Sequence, residues 1–298
     1  MTPDFGPLLD RVPGWAGRAR VVRALDGGLT NRNLLVDVDG ERYVLRLSGQ
    51  DTHLLEIDRH TERDANRRAA ELGLAPEVTA FIEPEGYLVT RFVAGRAMSA
   101  SELSDPAALE RVAAMLRTFH ESGSLPTTFD AFVVPGLHRD AAEARGVSIP
   151  DSYWATAAIV DAIAAAFAAA PEPRRPCHND LFNLNFLRDG EQIWLLDWEY
   201  AGMNDRYFDL GNFAINNALA AEAEETLVEA YFGAVTPSHL ARLRLMKIVS
   251  DAREATWALV QVGISTIDFD YRAYADECFD RLLTNAHHRD YAAWLDAA

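Results

Sequence analysis

Between Cys177 and Trp198 the chain reads C-H-N-D-L-F-N-L-N, passes an Asp189-Gly190 turn, and continues Q-I-W-L-L-D-W. Asp180 is followed five residues later by Asn185, and a short apolar strand then ends in Asp197. Phosphoryl transfer to a hydroxyl calls for groups of these types in this order. One carboxylate beside the hydroxyl orients it and takes its proton. An amide oxygen and a second carboxylate, both hard donors, hold the Mg²⁺ that neutralises the phosphate in transit. Any one of the three residues alone reads as a polar group closing a turn or ending a strand. Together, in order and between short strands, they read as a phosphotransfer site. His178, with two ring nitrogens to offer, reads as a brace for the loop rather than a reactant.

Such a site also needs a fixed cation on the nucleotide phosphates. The only lysine, Lys247, lies far down the chain, so the candidate is Arg46 in the strand Y-V-L-R-L. Its planar fork clamps phosphate oxygens and never deprotonates. Alternation puts Arg46 opposite the Tyr43, Leu45, Leu47 face, and an exposed strand arginine is the plainer alternative. Glu62 is the natural partner because it shares a helical face with Ala65, Ala69 and Leu72, while Glu56, Asp58 and Asp64 compete for that role. Gly27, Gly28, Leu29, Thr30 and Asn31 form a small-residue turn able to bring backbone N–H groups to phosphates. Thr90, Phe92 and Val93 lie in the connection where an adenine would sit.

The elements that must position these residues divide into two textures. Up to about residue 93 the chain reads as strands R-V-V-R-A-L-D, N-L-L-V-D-V-D and E-R-Y-V-L-R-L, with a hairpin turn at Asp39-Gly40. A helix over 58–72, ended by Gly73 and Pro76, and a further strand pair around Glu85-Gly86 follow. From 94 to 298 the pattern is helical, with a helix starting at Ser104 or Asp105 and others over 153–170, 206–232, 237–262 and 271–285. The one β-rich island there is the stretch that carries Asp180, Asn185 and Asp197.

Composition narrows the partners. The 298 residues carry 28 basic and 45 acidic side chains, a formal charge of -17, which repels phosphate backbones and anionic lipid and suits a small cation. At 49% hydrophobic and 24% charged the chain is globular. Two cysteines, Cys177 and Cys278, make no disulfide framework and no metal spacing, which fits the cytoplasm. The N-terminus has no basic-then-apolar signal pattern, and the run 155–170 is expected to fall short of a membrane span. Nothing in the residues speaks to oligomeric state.

With these residues in view, the chain resembles the choline/ethanolamine kinase family, a branch of the aminoglycoside-phosphotransferase-like group with the protein-kinase-like fold. G-G-L-T-N at 27–31, Y-V-L-R-L at 43–47, C-H-N-D-L at 177–181, L-L-D-W-E-Y-A-G at 195–202, N-D-R-Y-F-D-L-G-N-F at 204–213 and F-D-Y-R-A-Y-A at 269–275 carry the resemblance, nearly from end to end. It implies an α+β fold of two lobes, a small antiparallel β-sheet N-lobe with one helix (1–93) and a larger, mainly helical C-lobe (94–298), with ATP between them. It implies Asp180 as catalytic base, Asn185 and Asp197 as magnesium ligands, and Asp209 as a brace of the catalytic loop. For the acceptor, a small cationic alcohol, it implies aromatic faces and carboxylates, with Trp198, Glu199, Trp257, Tyr271 and Tyr274 as candidates. Core packing is the alternative for each aromatic. Two positions depart from the family pattern: Glu254 stands where a second tryptophan is common, and Asn216 where a glutamate is common. They favour ethanolamine or another hydroxylated amine over choline. The rival functions are a related phosphotransferase acting on an aminoglycoside, amino acid or sugar, a catalytically silent kinase-like binding protein and a protein kinase.

Overall fold

The computed structural model describes residues 5–25, 31–49 and 52–298. Gly27, Gly28, Leu29 and Thr30 of the expected phosphate turn lie outside the described residues; Asn31 lies within them. Strands β1 (Arg20–Ala24), β2 (Arg32–Val38), β3 (Glu41–Leu47), β4 (Val78–Ile82) and β5 (Tyr87–Arg91) form one antiparallel sheet in the order β1-β2-β3-β5-β4. Leu34, Val36 and Val38 of β2 and Tyr43 and Leu45 of β3 alternate onto one buried face. That face is closed by Leu9 of the short helix α1 (Gly6–Leu9) together with Val12 and Trp15, whose ring lies 4.7 Å from Tyr43. Arg46 has the opposite parity, so the same alternation that builds this core sends the guanidinium to the other side. The β2–β3 turn has positive φ at Asp39 (52°) and Gly40 (90°), as a two-residue hairpin turn requires.

Helix α2 (Arg59–Glu71) begins where the Asp58 side chain accepts from Thr61 N–H at 2.6 Å. It buries Thr61, Glu62, Ala65, Asn66 and Ala69, a stripe that carries Glu62 inward. The three competitors for Glu62's role are spoken for or outward: Asp58 caps the helix, Asp64 pairs with Arg63 at 2.7 Å and Glu56 is exposed. Beyond the sheet, β6 (Arg96–Ala97) pairs with β8 (Phe186–Asp189), which pairs with β9 (Gln192–Leu195). Gly95 makes this crossing possible, because a Cβ there would lie 2.8 Å from the Arg188 carbonyl oxygen.

The remainder is α3 (Ala100–Leu103), α4 (Pro106–His120), α5 (Val134–Ala144), α6 (Asp151–Ala169), β7 (Arg175–Cys177), β10 (Gly202–Asn204), α7 (Arg206–Asn216), α8 (Ala221–Phe232), α9 (Pro237–Ile264), α10 (Tyr271–Ala286) and α11 (Tyr291–Ala297). The chain is therefore α+β, a small antiparallel sheet with one long helix joined to a larger, mainly helical part. Residues 248–261 of α9 are buried all round, and α5, α6, α7, α8, α10 and α11 pack about it. Gly211 lets α7 cross it closely, since a Cβ would come within 2.7 Å of Met246.

Two expectations change. The single helix over 206–232 is two helices, because Asn217 Nδ2 donates to Phe213 O and Leu181 O while Ala218 takes a positive φ of 50° that no helix continues. The alanine-rich α6 is long and apolar enough to cross a membrane by length and composition, with mean hydropathy 1.4, rather than short of a span. Its buried residues Tyr153, Thr156, Val160, Ile163 and Phe167 recur every three or four positions and form the stripe it presents to the core. α5 and α11 have no counterpart in the sequence reading.

Candidate active site

The loop after β7 is shaped by groups that spend their hydrogen bonds on its backbone. Asp209, fully buried at the start of α7, accepts from His178 N–H (2.8 Å) and Asn179 N–H (2.7 Å), and His120 Nε2 lies 2.9 Å away. Burial alone would raise the Asp209 pKa, but His120 and the backbone donors hold it below the usual carboxylate range. Asn212 Oδ1 accepts from Leu181 N–H at 2.5 Å. His178 has its Nδ1 3.2 Å from Asp180 N–H and its Nε2 2.9 Å from Leu196 O. Burial pushes its pKa down to about 4, so the ring is neutral and can accept at one nitrogen while donating at the other. Asn179 (φ 67°) and Asp197 (φ 65°) sit in the left-handed region, a conformation that Asn and Asp tolerate best among residues with a Cβ.

Asp180, Asn185 and Asp197 are tied together through the main chain. Asn185 Nδ2 donates to Asp180 O at 2.9 Å, and Leu196 N–H donates to Asn185 O at 2.9 Å. The Asn185 amide nitrogen being used, its Oδ1 accepts no hydrogen bond among the described residues and is left for a cation. Asp197 Oδ1 is 2.7 Å from Arg46 Nη1 but has no aligned hydrogen bond; that oxygen is buried, while the side chain as a whole is 34% exposed. Burial, with Glu199 and Glu62 adding and Arg46 opposing, raises the Asp197 pKa to about 6. Three carboxylates (Glu62, Asp197, Glu199) face two guanidiniums (Arg46, Arg59) here, so one negative charge is uncompensated. Hard oxygen donors with excess negative charge are what Mg²⁺ takes. Asn185 and Asp197 thus fit the ion.

Arg46 reaches Glu62 Oε1 at 3.2 Å, Glu199 Oε2 at 2.8 Å and Asp197, so the Arg46–Glu62 pairing is present and larger than a pair. Arg59, which sequence reasoning misses, joins Glu62 (2.7 Å) and Glu199 (3.0 Å); its signal is the i,i+3 spacing to Glu62 in the first turn of α2. Asn31 Nδ2 donates to Glu199 Oε2 at 2.9 Å, which joins Asn31 to this cluster. Thr90 is in β5 opposite Val44, Phe92 N–H donates to Arg42 O (3.1 Å) with the Arg42 guanidinium over its ring, and Val93 follows, half-buried.

The acceptor candidates separate. Trp257, Tyr271 and Tyr274 come together, with ring centroids 5.9 Å and 6.4 Å from Trp257 and both tyrosines edge-on to it. Phe269, missed in sequence reasoning though it opens the F-D-Y stretch, lies 4.9 Å from Tyr271 and 5.9 Å from Tyr274. The Tyr274 hydroxyl donates to Glu254 Oε2 at 3.4 Å, and Trp257 Nε1 donates to the Tyr200 hydroxyl at 2.9 Å. Trp198 and Glu199 do not belong with them. Trp198 is 0% exposed, donates to Leu195 O and packs between Phe119 and His178, which leaves no ring face for a ligand. Glu199 faces Arg46, Arg59 and Asn31. The other departure, Asn216, ends α7 with both amide atoms buried and, among the described residues, without a hydrogen-bond partner.

Asp180 itself is pushed well above the usual carboxylate range by burial, opposed by Arg253, whose Nη1 donates to its Oδ1 at 3.2 Å. Burial that raises the proton affinity of the Asp180 carboxylate makes it a stronger base toward a hydroxyl proton.

Residues 21–246 match the sequence profile of the phosphotransferase enzyme family. A solved structure of a choline/ethanolamine kinase family protein from Mesorhizobium loti is similar over 98% of this chain and 97% of that one, with 31% identity and a TM-score of 0.82. Protein LicA of Haemophilus influenzae is 27% identical over 78% of this chain and 70% of its own length, and ethanolamine kinase 2 of Mus musculus is 28% identical over 88% and 75%. The Asp180, Asn185 and Asp197 loop thus sits inside a matched region and a matched fold, and the chain belongs to the phosphotransferase enzyme family and, within it, to the choline/ethanolamine kinase family.

Proposed function

We propose that the chain transfers the terminal phosphoryl group of ATP, with Mg²⁺, to the hydroxyl of ethanolamine, choline or a related amino alcohol. The observation that carries this reading is that Asp180 is linked through Arg253 to Glu254 and the Trp257, Tyr271, Tyr274 rings, while the same loop holds the Asn185 and Asp197 oxygens. The nucleotide would lie between the sheet unit ending near residue 93 and the helical unit. Arg46, held by Glu62 and Glu199, would meet the phosphates, with Thr90 to Val93 beside the base. Bound Mg²⁺ would be held by Asn185 and Asp197 and would screen the negative charge of the phosphate oxygens.

Asp180 accepts the hydroxyl proton, the alcohol oxygen bonds to the terminal phosphorus, the phosphorus–oxygen bond to the leaving nucleoside diphosphate breaks, and that product carries away the electron pair. Catalysis is then orientation and electrostatics. The rings of Trp257 and Tyr271, both buried, and of half-buried Tyr274 are the aromatic surfaces that would receive an organic cation, and the overall charge of -17 would draw one in. Glu254 favours an ammonium that carries N–H groups, which its carboxylate can accept. Two free, buried cysteines support placing the enzyme in the cytoplasm.

The test is Mg²⁺-dependent ADP formation on a panel of ethanolamine, choline, other amino alcohols and an aminoglycoside. Stimulation by an amino alcohol is expected, with Asp180→Ala lowering kcat about 10³-fold. Turnover of the aminoglycoside alone, or undiminished turnover by Asp180→Ala, would overturn the reading.

A further inference from the structure

Helix α9 places Arg253 and Glu254 at consecutive positions, 1% and 2% exposed. Side chains this long and charged are drawn inside only when partners wait there. Arg253 Nη1 donates both to Asp180 Oδ1, at 3.2 Å, and to Glu254 Oε1. Its guanidinium carbon lies 4.1 Å from the centre of the Tyr200 ring, and the Tyr200 hydroxyl in turn accepts from Trp257. Among the described residues Arg253 is the only donor to the Asp180 carboxylate. His178 and Asn185 bond the Asp180 main chain and leave its side-chain rotation free.

We infer that Arg253 is a positioning residue, which sets the orientation of the Asp180 carboxylate and is itself held in plane by Glu254 and the Tyr200 ring. This rests on the phosphotransfer reading above. Glu254 at Nη1 and the Tyr200 ring beneath the guanidinium carbon restrict the rotation of the fork, and so direct the N–H that meets Asp180. Asp180 needs such a direction because the proton it takes belongs to a hydroxyl held at one place, and a misplacement of about 1 Å costs on the order of 100-fold in rate. The same contacts place the setting of the base next to the aromatic rings, one residue from Glu254.

The experiment compares Arg253→Met and Arg253→Lys with wild type, reading kcat and the KM for ATP and for the amino alcohol. Expected for Arg253→Met is a kcat roughly 100-fold lower with the ATP KM within about twofold of wild type. Arg253→Lys, which restores the charge without the fork, is expected to regain roughly tenfold of that loss. A residue that merely supports the fold would lower the amount of folded enzyme and would not divide kcat from KM in this way. A second reading uses the unfolding midpoints of Arg253→Met, Asp180→Asn and the double variant, which should be non-additive. Should Arg253→Met not fold, Arg253→Lys carries the kinetic test alone, with kcat about tenfold down at unchanged ATP KM. Undiminished kcat in the variants, or additive midpoints, overturns the inference. If wild type turns over no amino alcohol while the midpoints are non-additive, the proposed function falls and the hold of Arg253 on Asp180 stands.

Discussion

Two arginines meet the reactive loop, a half-buried one from the sheet and a buried one from the helical core. Arg46 of β3 meets Glu62, Asp197 and Glu199, with Arg59 sharing two of those carboxylates; Arg253 of α9 meets Asp180 and Glu254 and lies on a tyrosine ring. Each cluster has one more carboxylate than guanidinium, so each is short of one positive charge. What differs is the company. The sheet-side excess lies beside the Asn185 oxygen, a hard donor set suited to a divalent metal, whereas the helix-side excess lies beside Trp257 and Tyr274, soft faces suited to an organic ammonium. The same electrostatic deficit is thus addressed to different cations by the neutral groups around it.

The largest effect should come from breaking the sheet side. Arg46→Met removes the counter-charge of three carboxylates and the proposed phosphate contact together, so kcat/KM for ATP should fall roughly 100-fold or more, with a lower melting temperature. Steady-state kinetics at varied ATP and a melting curve decide it. An unchanged ATP KM in a less stable protein would make Arg46 a structural member of its cluster and nothing more.

The two arginines also differ in how far the sequence reveals them. Arg46 is readable because a strand alternates: once Tyr43, Leu45 and Leu47 face one core, Arg46 must face the other way. Glu62 is readable for the matching reason, its helix being buried along one stripe. α9 has no such contrast, since 248–261 is interior on every side, and a charged residue in a helix then looks like a solvent-facing one. Trp198 and Glu199 mislead for a different reason. They adjoin Asp197 in sequence, but the left-handed backbone at Asp197 turns the chain there, sending one side chain into the core and the other to Arg46. The fold class survives because the stretches that carry the resemblance run nearly from end to end, and the short spacing of Asp180, Asn185 and Asp197 keeps them on one segment closed by main-chain bonds.

A smaller effect should sharpen the helix side. Glu254→Gln keeps the volume and removes the charge, so the KM for ethanolamine should rise about tenfold, while that for choline, which has no N–H to donate, should rise less than about threefold. The ratio of kcat/KM for the two alcohols is the measurement. An equal rise for both would assign Glu254 to holding Arg253 alone, and would leave the rings to recognise the cation unaided.

The last effect falls on stability alone, at a group that keeps the helix-side charge count as it is. His138 of α5 is fully buried against α9, 3.4 Å from the Thr256 hydroxyl, and burial, with the positive charge of Arg253 adding to it, pushes its pKa down from 6.5 to about 3. The folded protein therefore keeps this ring neutral at pH values where the unfolded chain protonates it. Its contribution to stability is complete above about pH 6.5 and is lost as the pH falls toward 3, by about 1.4 kcal/mol per unit once well below the unfolded value. Asp251, whose burial raises it to about 6, works with the opposite sign, since it holds its proton better when folded. The comparison to make is therefore wild type minus His138→Gln, in which the other groups cancel. Between pH 7 and 5 wild type should lose about 2 kcal/mol relative to the variant, read from denaturant unfolding. A flat difference would mean that the folded protein protonates His138, placing a second positive charge near Arg253 and erasing the negative excess on which the helix side's choice of cation depends.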